Sequence, residues 1–228
     1  MDTINRYLDA AVLKPEFTTR EAIDAINESI KYGTKTVCVR PCDIDLAVEM
    51  CKGTSTEVSC VLAFPHGTTP SEVKGYEAKI YIDKGVNEID MVANYGRIKS
   101  GDWEYVEKDI LAVSKLTRAA NVILKVIFET CYLTQEEIEK TTEICIEAGA
   151  DFVKTSTGFA TGGATFEAVD IMIKASKGKI KVKPSGGIRD KETALKYIEM
   201  GAHRLGTNYT ASRAICEGIV IEGNKDTY

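Results

Sequence analysis

One pattern recurs along the chain: an amphipathic stretch stops at a glycine, and a short β-branched run follows. The stops are Tyr32-Gly33, Lys52-Gly53, Lys84-Gly85, Ala148-Gly149, Lys177-Gly178 and Met200-Gly201. Glycine suits the left-handed residue just past a helix, so each joint reads as a helix end. The runs behind them predict strands at 36–39, 57–63, 88–92, 152–154, 179–183 and 203–206. A further strand at 121–128 is entered without a glycine, and a first one lies at 7–12, which makes eight. Strict alternation of helix and strand implies a parallel sheet with helices outside it. Eight such units in 228 residues predict an α/β fold of the (β/α)8 barrel type, one domain over 1–228. A doubly wound open sheet is the alternative, but no GxGxxG follows the first strand.

The helix starts carry their own signals. Thr18 with Glu21, and Thr134 with Glu137, are capping boxes. Asp43 is placed to cap a helix over 44–51, and Thr69-Pro70 to open one that turns Val73, Ile80 and Tyr81 inward. Later inward stripes are Trp103, Val106, Ile110, Val113 and Leu116, then Ile138, Cys145 and Ala148. Val169 and Ile173 mark the next helix, and Ala194, Tyr197 and Ile198 the one after.

Composition matters chiefly for what it excludes. A formal net charge of −5 argues against a nucleic-acid or anionic-membrane partner. No window approaches 18 consecutive apolar residues, and the first residues lack the profile of a signal peptide. The seven cysteines are scattered and odd in number, as expected of reduced thiols in a cytoplasmic protein. Cys38 and Cys42 stand four apart without a second pair or a histidine cluster, so no metal site is expected.

Two strand ends stand out. Phe152-Val153-Lys154 and Lys181-Val182-Lys183 each finish on a lysine before a glycine-rich turn. A buried ammonium is costly unless it is paired or loses its proton. On consecutive parallel strands the two lysines stand side by side, and a neighbouring cation favours the free amine that attacks carbonyls. Barrel enzymes carry their active groups at the carboxyl ends of strands. The other ends supply Asp9, Cys38, His66, Asp90, the pair Lys125 and Glu129 on one face, and two loops. Lys125 with Glu129 reads as a structural ion pair, Cys38 as a buried thiol lining the pocket, and His66 and His203 as ordinary. The loops are Ser185-Gly186-Gly187-Ile188-Arg189 and Gly206-Thr207-Asn208, where barrels commonly hold a phosphate.

Eight segments in this order resemble the deoxyribose-phosphate aldolases of the class I, Schiff-base type. They include Phe64-Pro65-His66-Gly67, Glu88-Ile89-Asp90-Met91-Val92, Lys154-Thr155-Ser156-Thr157-Gly158-Phe159 and Lys183-Pro184-Ser185-Gly186-Gly187-Ile188-Arg189, and they run from Leu8 to Thr207. The resemblance implies that Lys154 forms the imine, that Lys183 keeps it available, and that Asp90 shuttles protons. It implies a phosphate grip of Gly158, Gly186, Gly187, Arg189 and Gly206, with Cys38, Thr157 and Asn208 also against the substrate. No cofactor and no metal is implied. The partners expected are a phosphorylated sugar and acetaldehyde, with a homodimer or homotetramer as the assembly. The chain departs from the family in having Ala10-Ala11 where His-Thr is common, and Asn208-Tyr209 where serines are usual. Some members end in a tyrosine that helps move the α-proton, and this chain ends in Tyr228. Other readings are a Schiff-base lyase for a different aldehyde or acceptor, a non-catalytic sugar-phosphate-binding barrel, and a sugar-phosphate isomerase.

Overall fold

The eight strands form one parallel sheet that curls until its ends meet. The computed structural model describes residues 3–219, so Tyr228 lies outside the described residues. In chain order the elements are β1 (Leu8–Val12), α1 (Thr19–Lys31), β2 (Thr36–Val39), α2 (Ile44–Cys51), β3 (Glu57–Leu62) and α3 (Ser71–Asp83). Next come β4 (Glu88–Val92), α4 (Tyr95–Lys99), α5 (Trp103–Ala120), β5 (Ile123–Ile127), α6 (Gln135–Ala148) and β6 (Phe152–Lys154). The chain continues with α7 (Phe166–Ser176), β7 (Lys181–Lys183), α8 (Lys191–Glu199), β8 (Leu205–Asn208) and α9 (Tyr209–Glu217). The sheet order is β7-β6-β5-β4-β3-β2-β1-β8. Every strand pair is parallel, and a bridge between Ser185 and Gly206 closes the gap from β7 to β8. This is the (β/α)8 barrel.

Alternation along each strand divides the residues between two compartments. Outward-facing Leu8, Ile89, Met91, Leu124, Val126, Val153 and Val182 pack under Ile110, Val113, Ile138 and Val169 of the helices. Each such buried side chain contributes ~1.5–3 kcal/mol. The inward face is where the charges sit.

Most helix signals fold as read. Both capping boxes form. Gly149 ends α6 at φ 74°, and Asn121, at φ 55°, does the same for α5 where no glycine is available. Asp43 caps nothing with its side chain, because its carboxylate accepts from Arg40 Nε at 2.6 Å. Arg40 in turn ties down the carbonyls of Lys14, Pro15 and Phe17. Pro70 is the residue before α3 and not its first. Tyr81 is buried as expected and Ile80 partly so, but Val73 is exposed, and α3 also buries Ser71, Lys74 and Ala78. The apolar period misleads there because an inward position holds a lysine, whose Nζ reaches Asp109 Oδ2 at 2.6 Å and the Val92 carbonyl at 2.9 Å. His203 precedes β8, which begins at Leu205. Among the described residues no helix is long and apolar enough to cross a membrane.

Candidate active site

Lys154 and Lys183 are register partners across β6 and β7, so pleat parity turns both side chains into the barrel. Asp90 on β4 faces them. Its Oδ2 receives Lys154 Nζ at 2.8 Å and Lys183 Nζ at 2.7 Å, and its Oδ1 receives Lys125 Nζ at 2.7 Å. Glu88, two residues before Asp90 and therefore on the same face, pairs with Lys125 and with Arg204 Nη2, the latter at 3.0 Å. Asp9 on β1 completes the cluster, with Lys183 Nζ 2.5 Å from its Oδ2 and Arg204 Nη1 2.9 Å from its Oδ1. Three carboxylates and four cations thus fill the barrel interior, all nearly inaccessible to water.

The field within the cluster outweighs its burial. Desolvation pushes the Asp90 carboxyl up, but Lys125, Lys154 and Lys183 hold it well below the usual carboxylate range. Burial likewise raises Asp9, and Lys183, Lys125 and Arg204 overcome it to leave the carboxyl depressed. For Lys125 burial works against the charge, and Asp90, Glu88 and Asp9 together drive it well above an ordinary lysine.

Lys125 does not pair with Glu129. The chain leaves β5 with Glu129 in the left-handed region, φ 59° and ψ 61°, which swings its carboxylate out of line with Lys125. Glu129 instead accepts from the Thr157 N–H at 3.2 Å and from the Thr157 hydroxyl. Thr157 Oγ1 accepts in turn from the Phe159 N–H at 3.0 Å, so a buried acid after β5 shapes the loop after β6. Burial pushes the Glu129 carboxyl up, and the Thr157 hydrogen bonds and Lys154 only partly offset that.

The loops after β6 and β7 lie back to back. Ala164 N–H donates to the carbonyls of Ser185 and Gly186 at 3.0 and 3.1 Å. A Cβ on Gly163 would stand 2.5 Å from the Gly186 oxygen, so only glycine permits this approach. Gly158 also backs onto Gly186, its Cα 3.6 Å from where a Cβ there would stand, whereas Gly187 faces open space. The N–H groups of Gly206 and Gly186 donate to Pro184 and Gly206 carbonyls, so both serve barrel closure. Asn208 caps α9, its Oδ1 accepting from Ala211 N–H at 2.6 Å, which aims that helix's first turn at the same corner. Arg189 is exposed at the entrance to α8.

On the other side of the mouth, Ala11, Leu13, Cys38, Val61 and Phe64 form a small apolar cluster of their own. Burial, then Asp90, raises the Cys38 thiol above its ordinary value. Beside this cluster a cavity of about 480 Å³ is bounded by Leu13, Val61, Phe64 and Phe159, with His66 and Arg40 on its wall. Phe159 meets Phe64 edge-on, with ring centroids 5.1 Å apart. Among the described residues no group of three or more His, Cys, Asp or Glu is arranged to hold a metal.

Strand-end reasoning found Lys154, Lys183, Asp90 and Asp9. It missed Glu88 and Arg204 as interior groups, although the two-residue spacing of Glu88 and Asp90 was the available signal.

A parallel barrel with amines and a carboxylate converging at one end of its strands defines a class: a (β/α)8 enzyme equipped for carbonyl chemistry. Comparison with known proteins narrows that class. Residues 4–221 match the model of the DeoC/LacD family aldolases, and the chain belongs to that family. It is 48% identical over 207 residues to the deoxyribose-phosphate aldolase of Thermococcus kodakarensis, covering 90% of this chain and 92% of that one. Against the deoxyribose-phosphate aldolase of Streptococcus sanguinis it is 45% identical over 222 residues, 97% of this chain and 99% of the other. Among solved structures, the aldolase QR15 superposes with a TM-score of 0.89 at 42% identity, covering 95% and 96% of the two chains. A deoxyribose phosphate aldolase from Aeropyrum pernix, described as tetrameric, gives 0.86 at 27% identity, covering 94% and 89%. The protein is an aldolase.

Proposed function

We propose that the protein reversibly cleaves 2-deoxy-D-ribose 5-phosphate to D-glyceraldehyde 3-phosphate and acetaldehyde through an imine on Lys154. The observation that carries this reading is the distribution of carboxylates among the buried lysines. Among the described residues Lys125 has three acids within ion-pair distance and Lys183 has two, whereas Lys154 has Asp90 alone. Of these three buried lysines, Lys154 is thus the one least engaged by carboxylates.

The free amine adds to the aldehyde carbon C1 of the open-chain sugar, and loss of water leaves a protonated imine. A base removes the C3 hydroxyl proton and the C2–C3 bond breaks. Its electron pair enters the C1–C2 bond as an enamine, while C3 becomes the aldehyde of the departing triose phosphate. Protonation at C2 and hydrolysis release acetaldehyde and regenerate Lys154. Asp90 carries the protons, and Lys183 holds Asp90 in place and balances its charge. The two-carbon unit fits against the apolar side, Ala11, Cys38 and Val61. The phosphate is assigned to the opposite corner: Gly158, Gly186, Gly187, Gly206, Arg189, Asn208 and the start of α9, with Thr157 shaping the loop.

Borohydride in the presence of acetaldehyde, followed by mass mapping, tests the assignment. An ethyl group on Lys154 with loss of activity is expected. Label on Lys183 or Lys125, or none at all, overturns it. Arg189→Ala should raise KM for the phosphorylated sugar about ten- to a hundredfold and leave unphosphorylated deoxyribose nearly unchanged. The chain is assigned to the cytoplasm, and as a homodimer or homotetramer; the Aeropyrum pernix enzyme, described as tetrameric, supports the assembly, which light scattering on the purified protein would measure.

A further inference from the structure

The amino-terminal end of the barrel, opposite the lysine site, opens into a cleft of about 580 Å³. Arg6, Lys35, Lys181, His203 and Arg204 line it around the ring of Phe152, and no acid is among its lining residues. That is unexpected in a chain with 34 acidic against 29 basic residues. Two of the cations are neutralised: Lys35 pairs with Glu57, and Arg204 with Asp9 and Glu88. The others are not. Arg6 spends its guanidinium on the carbonyls of Gly33, Thr34 and Ser55 at 3.0–3.1 Å, and among the described residues its charge has no counter-ion. Lys181 is exposed at the start of β7, and its Nζ lies 5.3 Å from the centroid of the Phe152 ring. Arg204 lies 5.5 Å from the centroid of that same ring. Two cations therefore share one aromatic ring, and among the described residues Lys181 has no carboxylate within ion-pair distance. His203 adds a directed donor. Its Nδ1 accepts the Val182 N–H at 3.3 Å, which places the proton of the neutral ring on Nε2.

We propose that this cleft binds a small metabolite through a doubly charged oxyanion, such as a phosphate monoester, with Lys181, His203 and Arg6 as its contacts. It is a site separate from the loops at the barrel mouth. A volume of this size suits a molecule as large as a sugar phosphate. A bound dianion would neutralise the unpaired positive charge and accept from the Nε2–H and the ammonium, the charge-assisted geometry in which oxyanions bind best. The acids at this end, Glu57, Asp9 and Glu88, are already committed to Lys35, Lys125, Lys183 and Arg204.

The chain contains only two histidines, so imidazole NMR of the intact protein reads the site directly. His66→Gln assigns the two sets of signals. Without ligand, burial and then Lys181 hold the His203 pKa below its ordinary value. A neighbouring dianion favours the imidazolium, so added sodium sulfate, which does not itself titrate near neutrality, should move the His203 titration to higher pH. The effect should saturate at millimolar sulfate, be absent with sodium chloride at matched ionic strength, and recur with glycerol 3-phosphate. Lys181→Ala, a change at an exposed position, should weaken sulfate binding about tenfold or more and leave the aldol rate unchanged. An equal response to chloride, or one without saturation, would reduce the effect to general screening and overturn the proposal. Saturation that survives unchanged in Lys181→Ala would place the anion elsewhere and overturn it equally.

Discussion

Lys154 and Lys183 lie directly across from each other on β6 and β7, and both ammonium nitrogens converge on a single oxygen, Oδ2 of Asp90, at 2.8 and 2.7 Å. Two lysines side by side would repel. The carboxylate between them turns that repulsion into a three-centre ion pair, and Lys183 carries a second acid, Asp9, on its other side. The two amines are therefore unequal although their strands present them identically.

Lys183→Leu tests that inequality. Among the described residues the substitution leaves Asp9 Oδ2 with Lys125 at 3.6 Å as its only remaining lysine partner, and removes one of two cations from Asp90 Oδ2. The turnover rate should fall by about 10²–10⁴, the range for losing a positioned acid–base group. Borohydride should still label Lys154, because the amine and its strand remain. Loss of label together with activity would make Lys183 the nucleophile.

Asp9 links this chemistry to acid stability. Its folded carboxyl is depressed, so its stabilising contribution is fully present above the unfolded value of about 3.9 and is lost as pH falls through the lower folded value. Asp9→Asn removes a buried partner from Lys183 and Arg204 and should cost ~3–5 kcal/mol at pH 7. The gap between wild type and variant should then narrow as the pH drops below about 4. Urea titrations at pH 7 and pH 3 measure the narrowing.

Glu129 has the opposite sign. Burial raises its folded carboxyl, so the ionised form costs stability, and that cost appears as pH rises from the unfolded value of about 4.3 through the folded one. Glu129→Gln keeps an acceptor for Thr157 and drops the charge. It should melt above wild type at pH 7 and alongside it at pH 4. Glu129→Ala leaves the buried N–H and hydroxyl of Thr157 without their acceptor, should cost ~1–3 kcal/mol, and should raise KM as the Thr157–Phe159 turn loosens.

Much of this was legible in the chain because the barrel repeats one device. Strands β2, β4 and β6 have the bounds their β-branched runs suggest, and the strand-end lysines face inward as parity requires. Part of what stayed hidden follows from one assumption, that charged residues face water. It concealed Glu88 and Arg204 inside the barrel and Lys74 inside the helix layer, all stabilised by partners distant in sequence. Glu129 escaped for a different reason. Its left-handed backbone breaks the alternation on which the Lys125–Glu129 pairing depended. The helices α4 and α9 also went unanticipated, the first being a single short turn region packed beside α5.

Lys74 and Asp109 give the sharpest test of that assumption. Their ion pair joins α3 to α5 at 2.6 Å with both side chains buried; Ser71 Oγ donates to Asp109 Oδ1 at 2.9 Å, and Lys74 also holds the Val92 carbonyl at the end of β4. Burial lowers the Lys74 pKa and raises that of Asp109, and their mutual attraction only partly restores both, so desolvation dominates at each partner. Lys74→Met alone should cost ~3–5 kcal/mol, since it strands a carboxylate in the helix layer. The double variant Lys74→Met/Asp109→Leu should recover most of that loss, because an apolar pair of similar volume avoids both desolvation penalties. Val92 lies two residues beyond Asp90, so the Lys74 bond also fixes where β4 ends. A double variant that regains its melting temperature but turns over more slowly, with KM unchanged, would assign the pair to holding Asp90 in line with Lys154. One that regains both would confine it to joining the helices.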